Sequence, residues 1–185
     1  MKGDDYVKNS LELNEYITQA VNKYSQNIIK IAFNYVKNIA DAEDIMQETF
    51  LSFMQQNPAF ESEEHEKAWF IRVAINKSKD YLKGGWLKNK VPLTEDLSYL
   101  PEEERGVLEE VMKLDKKYRV PIHLFYYEGY SINEIAEIMQ TKASTIKTWM
   151  YRGRNILKNK LGGFDNEQEY IQTGYEQSEN TFGYK

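Results

Sequence analysis

The chain has 185 residues, 41% of them hydrophobic and 29% charged, and its formal net charge is −5. That length fits one ordinary domain or two small ones, each able to bury a core, and the apolar and aromatic content excludes wholesale disorder. No run of about 18 apolar residues offers a membrane span. The opening Met-Lys-Gly-Asp-Asp-Tyr-Val has no apolar signal core. With no cysteine, disulfides, thiolate zinc sites and cysteine nucleophiles are excluded. His65 and His123 lie far apart, which argues against a histidine metal site, and both read as surface or packing residues. The expectation is a soluble cytoplasmic protein without membrane insertion, metal or other cofactor.

Net charge hides a pattern. Residues 67–90 carry seven basic groups and a single acid, Asp80, and residues 142–161 carry six basic groups and no acid. A polyanion meets such local clusters rather than the global balance. Residues 92–106 hold two of the four prolines and five acids against one base, and read as a linker. Residues 162–185 open with Gly-Gly and carry five acids against one base, without helical periodicity. They read as a mostly disordered acidic tail. Between these segments apolar residues recur at helical spacing. The predicted fold is all-α, with two small helical domains at 1–91 and 107–161.

The first readable helix spans roughly 41–56. At 100° per residue it places Ala42, Ile45, Met46, Thr49 and Phe53 inward, and Asp44, Gln47, Glu48, Leu51 and Gln55 outward. Leu51 among acids and amides is either a stray surface leucine or the apolar centre of a polar-rimmed partner patch.

A second helix, near 66–83, buries Ile71, Ala74, Ile75, Ser78 and Leu82, flanked by Phe70 and Tyr81. Its opposite face carries Trp69, Arg72, Val73, Asn76, Lys77, Asp80 and Lys83. Such a surface can neutralise phosphates while offering a stacking ring and an amide for base edges. The alternative is that Trp69 lies under another helix and the lysines merely face water.

The third unit is the most specific. Ser131-Ile-Asn-Glu134 fits a capping box, followed by Ile132, Ile135, Ala136 and Met139 at core spacing. After a break at 140–142, a last helix turns Ile146, Trp149, Met150, Gly153, Ile156 and Leu157 inward. Its outer face holds Ser144, Lys147, Thr148, Tyr151, Asn155 and Lys158, with Arg152 and Arg154 on the shoulders. Two short helices with a tight connection, the second polar and basic outside, make a helix-turn-helix design. Lys147, Tyr151 and Arg152 are placed to touch bases or phosphates.

These segments carry a resemblance. Asp41-Ala-Glu-Asp-Ile-Met-Gln-Glu-Thr-Phe50 is similar to the core-binding segment of bacterial sigma factors, and Ala68-Trp-Phe-Ile-Arg-Val-Ala-Ile-Asn76 to their promoter-melting segment. Tyr130–Met139, with Ser144-Thr-Ile-Lys147 and Tyr151-Arg-Gly-Arg154, resembles their C-terminal helix-turn-helix. The match runs over about residues 11–161 in the family's order, and the short chain resembles the extracytoplasmic-function (ECF) group.

The resemblance implies that Asp44, Gln47, Glu48 and Leu51 dock on the clamp helices of the RNA polymerase largest subunit. It places Trp69, Arg72, Asn76, Lys77, Asp80 and Lys83 at the −10 element, where unpaired bases are captured. The helix around Ser144, Lys147, Thr148, Tyr151, Arg152 and Arg154 would read the −35 element. An anti-sigma partner, often membrane-anchored, is the family habit. This chain departs from relatives with an arginine-rich stretch after the melting helix, having Lys83-Gly-Gly-Trp86 instead; Trp86 either stacks on a base or packs on its own domain. The competing class is an independent helix-turn-helix regulator that never joins polymerase. An enzyme is excluded, since no nucleophile–base pair, metal cluster or glycine-rich phosphate loop is present.

Overall fold

The computed structural model describes residues 2–84 and 109–161, with side chains from 14 to 84 and from 109 to 160. The predicted linker, the acidic tail and Trp86 lie outside the described residues. All regular structure among the described residues is helical, as the apolar spacing predicts. The chain divides into two compact units, residues 1–96 and 97–185, and the division falls within the stretch read as a linker.

Unit 1 holds α1 (Lys2–Val36), α2 (Ile39–Gln56) and α3 (Glu63–Lys83). The break after α1 is made by Lys37 at φ 54°, followed by Asn38, whose side chain accepts a hydrogen bond from the Asp41 amide at 3.0 Å. An N-cap of this type satisfies an amide the helix itself cannot. Helix α2 closes on Asn57, in the left-handed region at φ 42°. Helix α3 starts at Glu63, three residues earlier than read from apolar spacing, because Ser62 Oγ accepts from the His65 amide at 3.2 Å. Glu63, Glu64 and Glu66 add negative charge to its first turn, where the helix dipole favours it.

The core of unit 1 joins Ile28, Ile31 and Phe33 of α1 to Ala42, Ile45, Phe50 and Phe53 of α2 and to Phe70, Ile71, Ala74 and Ile75 of α3. Phe50, outside the predicted inward set, is buried as well, whereas Met46, Tyr81 and Leu82 are only half-buried. Buried hydroxyls find partners along their own helices: Thr49 Oγ1 donates to the Ile45 carbonyl at 2.8 Å, Ser78 Oγ to that of Ala74 at 2.7 Å. A buried carboxylate, Glu66, accepts from the hydroxyls of Tyr16 at 2.5 Å and Tyr24 at 2.8 Å, stitching α3 to α1.

In unit 2, residues 109–113 are helical and precede α4 (Lys116–Tyr126), α5 (Ile132–Met139) and α6 (Ala143–Leu161). Buried Arg119 donates from Nη1 to the carbonyls of Met112 at 3.0 Å and Leu114 at 2.9 Å, tying the preceding turn to α4. The capping box is complete: Ser131 N donates to Glu134 Oε2 at 2.8 Å and Glu134 N to Ser131 Oγ at 3.3 Å. The α5–α6 turn is set by Gln140 at φ 54°, with the Thr141 amide donating to the Ala136 carbonyl at 2.8 Å.

Ile135, Ala136, Met139, Ile146, Met150 and Gly153 are buried, as predicted, while Ile132, Trp149, Ile156 and Leu157 are half-buried. Gly153 marks a close helix crossing. A Cβ there would meet Ile122 Cδ1 at 2.7 Å and Tyr118 Cβ at 3.1 Å on α4. Of the two histidines, His65 is exposed, whereas His123 is buried, with Nε2 3.6 Å from Glu128 Oε1 and its ring stacked on Tyr127.

Candidate polymerase-docking and promoter-DNA faces

On α2, the inward set of apolar residues turns Asp44, Gln47, Glu48 and Leu51 outward, and all four are exposed. Leu51 is 52% exposed, and Met54, one turn further, is 51% exposed. Residues three apart are neighbours on a helix surface, so the two form one apolar ridge. Met54 was missed from the sequence, although its spacing from Leu51 was the available signal. The ridge is rimmed by Asp44, Gln47 and Gln55, an apolar centre in a polar frame.

On α3, Trp69, Arg72, Asn76 and Lys77 are half-buried, and Asp80 and Lys83 are exposed. The indole of Trp69 makes edge contacts with Phe53, Phe60 and Phe70 at centroid distances of 6.0, 5.9 and 5.2 Å. The two readings of Trp69 therefore combine, because aromatic packing fixes the ring while part of it faces outward. Such packing holds a planar surface in one orientation at little further entropic cost.

The cations of this face differ in occupation. Lys77 Nζ lies 3.0 Å from Glu48 Oε2, and Lys83 Nζ lies 2.9 Å from Asp80 Oδ1. Both pairs are substantially exposed, so each is worth at most about 1 kcal/mol and can be exchanged for another anion. The first pair bridges the α2 and α3 faces. Arg72 Nε is buried without a hydrogen-bond partner among the described residues. Lys79, not singled out from the sequence, lies half-buried beside this stripe, and its pKa is lowered by burial and then by the neighbouring Lys83. A bound phosphate would oppose this shift, because a nearby negative charge favours the protonated ammonium.

On α6, Ser144, Lys147, Thr148, Tyr151 and Arg152 are exposed, and Arg154, Asn155 and Lys158 are half-buried. Tyr151 is 59% exposed. The Thr148 hydroxyl donates back to the Ser144 carbonyl at 2.9 Å, leaving its lone pairs and methyl toward the outside. Among the described residues, no carboxylate lies in ion-pair range of Lys142, Lys147, Arg152, Arg154 or Lys158; Lys160 alone approaches one, Glu110, at 3.8 Å. Five of the six cations from Lys142 to Lys160 thus stand without a carboxylate partner among the described residues. Among the described residues there is no cluster of histidine, aspartate and glutamate fit to hold a metal ion. No described helix is long and apolar enough to cross a membrane.

Two helical units, one with paired faces on adjacent helices and the other ending in a capped helix-turn-helix with a basic second helix, define a class. Residues 20–87 match the family Sigma-70 region 2, and residues 104–157 match Sigma-70, region 4. Together they cover more than half of the chain, which belongs to the sigma-70 family of RNA polymerase sigma factors.

Its relatives narrow this to the ECF group. The chain is 29% identical over 161 residues to the ECF RNA polymerase sigma factor SigW of Bacillus subtilis (strain 168), covering 76% of this chain and 86% of SigW. It is 27% identical over 161 residues to the ECF RNA polymerase sigma-E factor of Haemophilus influenzae, covering 76% and 85%. Among solved structures, it is similar in fold to the sigma factor RpoE crystallised with the anti-sigma factor NepR from Bartonella quintana. There the TM-score is 0.64 and the identity 21%, over 78% of this chain and 95% of that one. CnrH, solved with the cytosolic domain of CnrY, gives a TM-score of 0.59 at 22% identity, over 80% and 88%. The chain is thus a promoter-recognition subunit that works with RNA polymerase, and its relatives are specificity factors rather than enzymes.

Proposed function

We propose that residues 1–91 form the polymerase-docking and −10 domain, 92–106 a linker, and 107–161 the −35 domain, with 162–185 as an acidic tail. Asp44, Gln47, Glu48 and Leu51 dock on the clamp helices of the polymerase largest subunit. The apolar ridge supplies desolvation there, and the rim supplies register. Trp69, Arg72, Asn76, Lys77, Asp80, Lys83 and Trp86 meet the −10 element. Opening requires a base pulled from the stack, and the unstacking energy is returned by stacking and phosphate contacts.

Helix α6 enters the −35 major groove, with Ser144, Lys147, Thr148, Tyr151, Arg152 and Arg154 toward the DNA. The chain carries out no catalysis of its own and acts in the cytoplasm. An anti-sigma partner covers these faces when transcription is off, and the fold relative RpoE, solved with the anti-sigma factor NepR, supports that reading.

The observation that carries the assignment is the presence of Asp44, Gln47, Glu48 and Leu51 together on one exposed face of α2, within the stretch matching Sigma-70 region 2. A DNA-binding regulator acting alone has no use for that face. The test is gel filtration of the full chain with sigma-free bacterial polymerase core. Co-elution, lost on Leu51→Glu with the helical circular dichroism unchanged, is expected. Folded chain that elutes apart from its cognate core would overturn the assignment.

A further inference from the structure

The outer face of α6 carries positive charge that no described carboxylate answers, although the chain as a whole is acidic. Directly beyond Leu161 the same chain continues with 24 residues holding Asp165, Glu167, Glu169, Glu176 and Glu179, against Lys185 as the single cation. Phe164 stands just before the first of these acids, and Tyr170 and Tyr175 lie between Glu169 and Glu176. Acids spaced by aromatic and amide residues offer what a nucleic-acid strand offers such a helix: spaced negative charge with flat rings between. We propose that residues 162–185 dock on the basic face of α6 and compete there with DNA.

Reach permits it. Along a helix rising about 1.5 Å per residue, Arg152 and Lys147 lie roughly 14 and 21 Å back from Leu161. Peptide segments span about 5–6 Å times the square root of their length, which places Asp165 about 11 Å and Glu179 about 23 Å from the end of α6. Chain lengths of this order suffice to bring the five acids to the zone of Lys158, Arg154, Arg152 and Lys147. A tethered ligand at this range acts at an effective concentration in the millimolar range, so even weak attraction keeps the face partly occupied. Exposed Tyr151, at the middle of that face, gives the tail's aromatic residues a ring to meet.

The consequence is a charge-tuned threshold. Duplex DNA must displace the tail, and its binding to α6 weakens by about threefold to tenfold if the tail's own affinity is submillimolar. Both attractions fall with salt, so the tail's penalty is greatest at low ionic strength. The effect on promoter affinity rests on the reading of α6 as the −35 helix, whereas the docking itself does not.

The absence of native cysteine allows a single spin label to be placed at Ser178→Cys in the full chain. In the DNA-free protein, amide signals of Lys147, Tyr151 and Arg152 should be broadened by the label, and should recover on adding salt or −35 duplex. The companion variant replaces Asp165→Asn and Glu167, Glu169, Glu176 and Glu179→Gln. It should abolish the broadening and tighten duplex binding about threefold to tenfold. Unbroadened α6 signals, or broadening spread equally over both units, would overturn the docking. Broadening on α6 in a chain whose duplex affinity ignores both the neutral tail and Lys147→Ala would leave docking established and refute the −35 reading instead.

Discussion

Gly153→Ala tests the packing that holds the recognition helix in place. The added methyl would stand 2.7 Å from Ile122 Cδ1 and 3.1 Å from Tyr118 Cβ, against an ordinary carbon–carbon contact of about 3.5–4.0 Å. Ile122 is 3% exposed and has little room to turn, and Tyr118 Cβ moves only with its backbone. Forcing a methyl into such a contact costs about 1–3 kcal/mol, and alanine returns up to about 1 kcal/mol of helix propensity. The net loss falls at about 1–2 kcal/mol, because the α4–α6 crossing must open. Native-state hydrogen exchange on the amides of Ile146 and Met150 reports this unit separately, and their exchange should accelerate about 5- to 30-fold. Ile122→Val deletes the clashing methyl, so in the double variant the penalty of Gly153→Ala should shrink by about 0.5–1 kcal/mol. Unchanged or slower exchange in Gly153→Ala, or strictly additive losses, would refute the reasoning.

Other outcomes follow from the same geometry. Leu51→Glu and Met54→Glu should each weaken polymerase binding, measured by fluorescence anisotropy with core enzyme, while thermal unfolding of the free chain stays unchanged; equal binding would remove the ridge from the interface. Arg152→Ala or Lys147→Ala should lower −35 duplex affinity by about 1–3 kcal/mol where a base is read. A loss uniform across promoter sequences would make them phosphate contacts. Gln140→Gly relieves a left-handed glutamine at φ 54° and should raise the stability of unit 2 by about 0.5–1 kcal/mol in urea melts.

Stability should also fall at alkaline pH. Burial, reinforced by the hydrogen bond to Glu66, pushes the Tyr16 phenol up to about 12; burial, with Glu66 adding and Lys23 opposing, pushes Tyr24 there too. Above pH 10 the unfolded chain releases these protons and the folded chain keeps them, so stability drops between pH 10 and 12. Tyr24, 3% exposed, contributes up to about 1.4 kcal/mol per pH unit, and half-exposed Tyr16 less. Tyr24→Phe should flatten that slope in pH-dependent melts; an unchanged slope would deny the linkage.

What was legible in the sequence was local. The α2 and α3 faces followed from apolar residues at 100° spacing, and the start of α5 from the reciprocal bonds of Ser131 and Glu134. What was not legible depends on distant partners. Glu66 reads as an ordinary first-turn acid until Tyr16 and Tyr24 arrive from α1, 50 and 42 residues earlier in the chain. Trp69 leaves two readings open, an outward ring or one covered by another helix, until Phe60, in the α2–α3 connection, and Phe53 close on its edges. Gly153 was placed inward by periodicity, but that α4 comes too close there for a side chain is tertiary information.

The Glu66 bonds set a lower limit on how small this protein can be made. Helix α1 lends no residue to either the α2 or the α3 face, and an engineer seeking a portable polymerase-docking module would be tempted to discard it. Cutting after Tyr24 would remove both hydroxyl donors to the Glu66 carboxylate and, with buried Ala20 and Tyr24, the ring that packs 4.9 Å from that of Phe70, one turn along α3. The α3 face turns on the same helix as that carboxylate. The smallest transplantable module therefore begins upstream of Tyr16, and the helix with no ligand of its own fixes its length.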